Sequence, residues 1–185
     1  VIYLNNIRLI LSSIPKFKLM KQLIIYFYIS YNILLSNTVY HIPIEGTIDL
    51  GLPPFIARSI EEAEHNNASS IIFEVNTFGG RVDAATQIKD AILDSKVPTV
   101  AFINKRAISA GALISLSCEK IYMTGGGTIG ATTAVDMSGN KASEKVISYM
   151  REEMAATAEK RGRNKYIARG MVDEELEFPN KIKKE

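Results

Sequence analysis

The sequence predicts an α/β domain with mostly parallel strands. Short apolar runs alternate with helix-period stretches, no internal repeat or linker interrupts them after Val39, and the composition is that of a globular chain. Of 185 residues, 46% are hydrophobic and 23% charged, which rules out disordered, collagen-like and low-complexity classes. Lys+Arg 22 against Asp+Glu 20 gives a net charge of +2, interspersed along the chain, so nucleic acid is not an expected partner. A single cysteine, Cys118, and two histidines supply no disulfide and no metal-ligand spacing, so neither a metal nor a cofactor is expected.

The first segment is Leu23 to Leu35, an uncharged run preceded by Lys16, Lys18 and Lys21 and followed by Ser36-Asn37-Thr38. Charge, then apolar residues, then small polar ones is the order of a secretory signal. As a helix the run covers about 20 Å of a roughly 30 Å hydrocarbon core, so a retained anchor is the second reading and a buried element the third. The chain opens on Val1 and Met20 precedes Lys21, so Val1 to Leu19 reads as an upstream extension. Residues 1–38 are therefore assigned to the extension and targeting segment, and 39–185 to one catalytic-size domain.

Val39 to Ile48 alternates apolar residues around Gly46, a strand with a bend or bulge. Asp49 is the expected cap of a helix opened by Pro53-Pro54 and running to Asn66, with Phe55, Ile56, Ile60 and Ala63 on its apolar stripe. Ser70 to Val75 is a buried strand and Asn76 to Gly80 a turn. Val82 to Leu93 has Val82, Ala85, Ile88, Ala91 and Ile92 at helix spacing. Val97 to Ile103 is the next strand, Lys105 to Ile108 a loop, Ser109 to Ser117 a short helix of small residues, and Lys120 to Met123 a strand. Gly125 to Gly130 is a glycine-rich connection. Ser143 to Arg161 is the longest helix, with Val146, Tyr149, Met150, Met154 and Thr157 as its apolar side and Gly162 as its stop. Asn180 to Glu185 is a polar end without periodicity.

His41 lies in a strand and His65 beside Glu61, Glu62 and Glu64, so neither serves as the base of a Ser-His-Asp triad. A serine or threonine nucleophile then needs another base, and lysine is the usual substitute. Ser109, at a helix start among Ala107, Ala110, Gly111 and Ala112, is the hydroxyl best placed for attack; its alternative role is an N-cap. Gly79-Gly80 is either a tight turn or a source of backbone N–H groups for an oxyanion. Gly125 to Gly127 lacks the lysine of a phosphate-binding loop. Lys145 sits one turn into a helix, where the macrodipole opposes its charge; Val146 and Ile147 beside it would favour the neutral amine a base requires, the alternative being a solvated side chain, with Lys141 as competitor.

Together these residues resemble the NfeD-type serine peptidases of the Clp protease class. The resemblance runs from about Val39 to Glu177 on Glu45-Gly46-Thr47-Ile48, Asn76-Thr77-Phe78-Gly79-Gly80-Arg81 with Asp83-Ala84, Ser109-Ala110-Gly111, Thr128-Ile129-Gly130-Ala131, Lys145, Gly162-Arg163-Asn164 and Met171-Val172-Asp173. It implies a ClpP/crotonase-like spiral of β-β-α units and a Ser-Lys dyad: Ser109 as nucleophile, Lys145 as general base, and Gly79, Gly80 and Ala110 around the oxyanion. It further implies a membrane-associated hydrolase on the extracytoplasmic side that forms a homo-oligomer, a dimer or larger, and cuts apolar segments of a peptide or membrane protein, a stomatin-like protein among the candidates. Phe78 stands where such proteins usually carry proline, and the chain stops where longer members resume with a strand and helix, so it is read either as a short or truncated member or as a fragment of a longer one. The rival reading is an idle binding or scaffold domain for a membrane partner; an acyl-CoA-handling crotonase relative is a third.

Overall fold

The computed structural model describes residues 15–34, 38–135 and 138–173, divided into two units that part between Asn37 and Thr38. The first holds helix α1, Pro15–Leu34, which begins with the three lysines and continues into the uncharged run. No helix among the described residues is long and apolar enough to cross a membrane. Residues Asn180 to Glu185 lie outside the described ones.

The second unit follows the order β1 (Val39–Ile48), α2 (Leu52–His65), β2 (Ser70–Gly80), α3 (Val82–Asp94), β3 (Thr99–Ile108), α4 (Ala110–Ser117), β4 (Lys120–Met123), β5 (Thr128–Gly130), α5 (Glu144–Lys160) and α6 (Lys165–Gly170). The sheet runs β1-β2-β3-β4, with β5 continuing beyond β4 along β3, and every pairing is parallel. Helical crossovers from β1 to β2, β2 to β3 and β3 to β4 make the parallel pairing of these four the expected result. Ile42 and Ile44 on β1, Ile71, Phe73 and Val75 on β2, and Ala101 and Ile103 on β3 are buried, all on one face. Ile56, Ile60, Ile88, Ile92, Leu113, Met150 and Met154 complete the core.

Two segments expected as turn and loop are strand. Asn76 to Gly80 extends β2 because Asn76, Gly79 and Gly80 still pair with β1 and Thr77 pairs with Ala107. Arg106 to Ile108 extends β3 because it pairs with Thr128 to Gly130, so the glycine-rich connection also ends as strand. Glycine lowers local strand preference, and tertiary pairing overrides it. The cost is irregularity: the register shifts between Glu45 and Thr47 and between Val75 and Thr77, the first at Gly46 with φ +71.

Three smaller expectations are corrected. Asp49 does not cap α2; Gly51 holds that position, and Asp49 Oδ1 accepts the Gly51 N–H at 2.9 Å. Phe55 is 40% exposed, and Pro53 joins Ile56, Ile60 and Ala63 inside. On α5 the core side is Ile147, Met150, Met154, Ala155, Thr157 and Ala158, with Val146 and Tyr149 turned outward.

Candidate active site

β3 delivers Ser109 to the top of α4 with φ 53 and ψ −118, a region a residue with a β-carbon rarely occupies. Its N–H donates to the Gly130 carbonyl at 2.9 Å and its carbonyl accepts from Ala112 N–H at 2.9 Å, so both backbone groups hold the sharp corner. The Ser109 hydroxyl makes no capping bond, which sets aside the N-cap alternative. A serine forced into strain between strand and helix, its hydroxyl not used by the backbone, has the geometry of a nucleophile elbow.

All eight residues of α4 are buried. Ser115 and Ser117 return their hydroxyls to the Gly111 and Ile114 carbonyls of the same helix, at 2.7 and 2.6 Å. At its far end Arg161 Nε donates to Ser117 O at 2.7 Å, and Arg163 donates to Leu116 O and Glu119 O, both at 3.0 Å. Two cations thus satisfy the carbonyl end of the buried helix and oppose its negative pole. Ala110 opens the other end, where its N–H has no partner within the helix.

Gly79 and Gly80 pass this corner from β2. Gly79 has φ +104, and a β-carbon there would stand 2.6 Å from Ser109 Cβ and 3.2 Å from Ala110 N. A β-carbon on Gly80 would run into the Ile48 carbonyl oxygen. Gly79 N–H donates to Thr77 Oγ1 at 2.9 Å, and that hydroxyl donates to the Gly46 carbonyl. Gly79 therefore supplies room beside Ser109, while its own donor is engaged. Thr77, 1% exposed, ties the β1 bulge to the glycine pair and touches the α4 surface, since a β-carbon on Gly111 would stand 2.5 Å from Thr77 Cγ2. Thr77 has no role assigned from the sequence alone, where a threonine between a strand and two glycines is the available signal. Phe78 is 73% exposed with the Arg106 guanidinium 4.4 Å from its ring centroid.

Lys145 lies in the first turn of α5 and is exposed. It lines an open cleft of about 820 Å3 with Val146 and Tyr149 on one side and Arg81, Val82, Asp83 and Thr86 on the other. The cleft therefore begins at the residue after Gly80. Thr86 Oγ1 and Tyr149 OH face each other across it at 3.4 Å, and deeper in, Lys89 joins α3 to α5 through Glu153 at 2.7 Å. Ile147 turns into the core, so only Val146 borders Lys145 as the sequence reading supposed. Gly79, Ser109 and Ala110 are brought together; no hydrogen bond joins Ser109 to Lys145 among the described residues. Lys141 is exposed, and His41 is spent on Glu74 at 2.7 Å. Burial pushes the Cys118 thiol up to about 12, which removes it as a thiolate nucleophile.

The parallel sheet with its helical crossovers is the ClpP-like protease fold. An asparagine-to-aspartate variant of ClpP1 from Listeria monocytogenes, 23% identical, shares that fold with a TM-score of 0.55, covering 69% of this chain and 75% of its own. The chain belongs to the NfeD1b family: the model of the NfeD1b N-terminal domain matches residues 38–185. It is 41% identical over 142 residues to the membrane protein NfeD1b of Bacillus subtilis, covering 77% of this chain and 32% of that protein. To the membrane-bound protease PH1510 of Pyrococcus horikoshii it is 31% identical over 167 residues, 86% of this chain and 38% of the other. A lysine-to-alanine variant of the 1510-N membrane-bound stomatin-specific protease, solved with a substrate peptide, superposes with a TM-score of 0.70 at 31% identity, covering 80% of this chain and 71% of that one. A serine-to-alanine variant gives 0.69 at 33%, covering 76% and 72%. The chain spans about a third of the length of the curated relatives it matches.

Proposed function

We propose that this domain is a serine-type endopeptidase in which Ser109 and Lys145 act as a dyad. The observation that carries the reading is the Ser109 backbone, held in strain at a strand-helix corner with its hydroxyl unspent by the helix. Neutral Lys145 accepts the Ser109 proton as Oγ attacks a peptide carbonyl, and the resulting ammonium returns a proton to the leaving amine. Ala110 N–H, at the positive end of a buried helix, and Gly80 N–H face the developing oxyanion, with Gly79 leaving the space. Water then hydrolyses the acyl-enzyme. A peptide laid against Val82, Val146 and Tyr149 excludes water from the Lys145 side of the cleft. That apolar wall, with the substrate-bound protease relative, supports apolar peptide segments as substrates and a stomatin-like membrane protein as partner. The names of both curated relatives support membrane association, for which an extracytoplasmic, homo-oligomeric form is the reading adopted.

The test is cleavage of a mixed apolar peptide pool by the full chain beside Ser109→Ala and Lys145→Ala, with circular dichroism to show that all three fold. Loss of cleavage in both variants, by at least about a thousandfold, is expected. Because Lys145 is exposed and not bonded to Ser109, an idle peptide-binding domain is the second reading. Peptide binding equal in parent and Ser109→Ala, with no cleavage by either, selects it.

A further inference from the structure

Two arginines flank the glycine pair, and their charges are used differently. Arg81, on the cleft side, is engaged: its Nε and Nη2 donate to Asp83 Oδ1 and Oδ2 at 3.0 and 2.6 Å. Arg106 on β3 makes no hydrogen bond or ion pair among the described residues, and its guanidinium lies 4.4 Å from the centroid of the exposed Phe78 ring. Both residues have the parity opposite to the buried positions of their strands, so their side chains leave the sheet on one face. Glu74, of the same parity on β2, is no partner for Arg106, because its two oxygens are bonded to His41 and Asn104, each at 2.7 Å. Stacking covers one face of the guanidinium plane and leaves its edge, where the N–H donors lie, unengaged. An arginine held flat on a ring is pre-organised for the paired bonds a carboxylate accepts.

The pair stands beside the strained serine. Phe78 directly precedes Gly79, whose β-carbon would stand 2.6 Å from Ser109 Cβ, and Arg106 lies three residues before Ser109, about 10 Å along the strand. The Lys145 cleft begins on the other side of the glycine pair, at Arg81. An extended peptide with its scissile carbonyl at Ser109 then has one flank in the Lys145 cleft and the other over Phe78 and Arg106. From this placement we propose that Arg106, held by Phe78, is a specificity-determining residue that takes the carboxylate of an acidic side chain about three residues from the scissile bond. The inference rests on the endopeptidase reading of Ser109 and adds one acidic position to an otherwise apolar substrate. An endopeptidase meets its carboxylates within a chain, so the side chain rather than the chain terminus is the source. The Phe78 ring fixes the guanidinium and keeps water from one side of it, which strengthens the ion pair.

Capped apolar peptides carrying one Glu, or Gln at the same position, are scanned along the peptide in two assays: kcat/KM with the full chain, and fluorescence-anisotropy binding to its Ser109→Ala variant. Glu is expected to exceed Gln about tenfold in both, on a single flank of the scissile bond. Arg106→Gln abolishes the difference, Arg106→Glu makes Lys preferred over Gln at that position, and Phe78→Leu reduces the preference, all with unchanged circular dichroism. A parent without a preference, or a preference untouched by Arg106→Gln or Phe78→Leu, overturns the proposal. So does a preference that appears only when the same peptides carry a free carboxyl terminus, which assigns Arg106 to chain ends. Cleavage without acid preference removes this inference and leaves the endopeptidase reading standing; a Glu preference in binding without cleavage does the reverse.

Discussion

Ser109 holds a conformation that costs a residue with a β-carbon about 1–3 kcal/mol. Glycine occupies the same region freely, so Ser109→Gly is expected to raise stability by about 1 kcal/mol in chemical denaturation and, on the proposed dyad, to abolish cleavage of the peptide pool. A destabilised Ser109→Gly would mean that the hydroxyl has a structural partner and would remove the functional reading of the strain. Gly79→Ala has the opposite balance. It combines φ +104 with a β-carbon 2.9 Å from the Ile108 carbonyl oxygen, and a loss of more than about 2 kcal/mol is expected. Glu74 is held below the usual carboxylate range, chiefly by the hydrogen bond from His41 and then by that from Asn104. A lowered folded-state value stabilises above the ordinary carboxylate range and is lost as pH falls through the folded one. Glu74→Gln therefore flattens the acid limb of a stability-pH curve and leaves its neutral-to-basic limb parallel to the parent's.

The elements that hold the site are fixed at their ends more than along their lengths. Helix α4 is apolar all round, so the sequence could place it inside but could not say what satisfies its carbonyl end. That answer lies more than forty residues downstream, in Arg161 and Arg163 beyond α5. Arg163→Ala removes donors to the Leu116 and Glu119 carbonyls and is expected to cost about 1–3 kcal/mol, read as a drop in Tm. The α3–α5 junction gives a second test. Lys89 is 9% exposed, bonded to Glu153 and paired with Asp90. Replacing Glu153 by Ala leaves a largely buried ammonium with one partner fewer and destabilises, whereas the double variant Lys89→Met with Glu153→Met removes both charges and is expected to be near neutral. Equal losses in both variants would show that the ion pair contributes net stability. The turn and loop assignments at Asn76 to Gly80 and Lys105 to Ile108 failed at this same scale. Glycine content and polarity speak for loops; pairing with β1 and β5 prevails, and only the neighbouring strands reveal it.

At the scale of the domain, the buried strand residues and the helices α2 to α5 share one core, and the stability resides there. Cys118 reports on that core: it is 0% exposed, with its thiol pushed up to about 12. Its alkylation in the folded protein is expected to be slow at neutral pH and to follow global unfolding, rising with denaturant along the same transition as circular dichroism. Rapid labelling under native conditions would show that α4 opens locally, and with it the corner at Ser109.

Element type and order were legible without coordinates, because period-two and helix-period patterns report local burial directly. The strand from Val39, the helices beginning near Pro53, Val82 and Ser143, and the strand Lys120 to Met123 all stand where their patterns put them. The family and its fold were legible too, from separated motifs in a set order. What the chain order left open was everything that depends on residues meeting across the fold. The strain at Ser109, the Gly79 backbone against it, the arginine cap of α4 and the outward turn of Val146 and Tyr149 each arise from partners far apart in sequence. Local periodicity says which side chains leave water, and only long-range pairing decides which atoms they then meet.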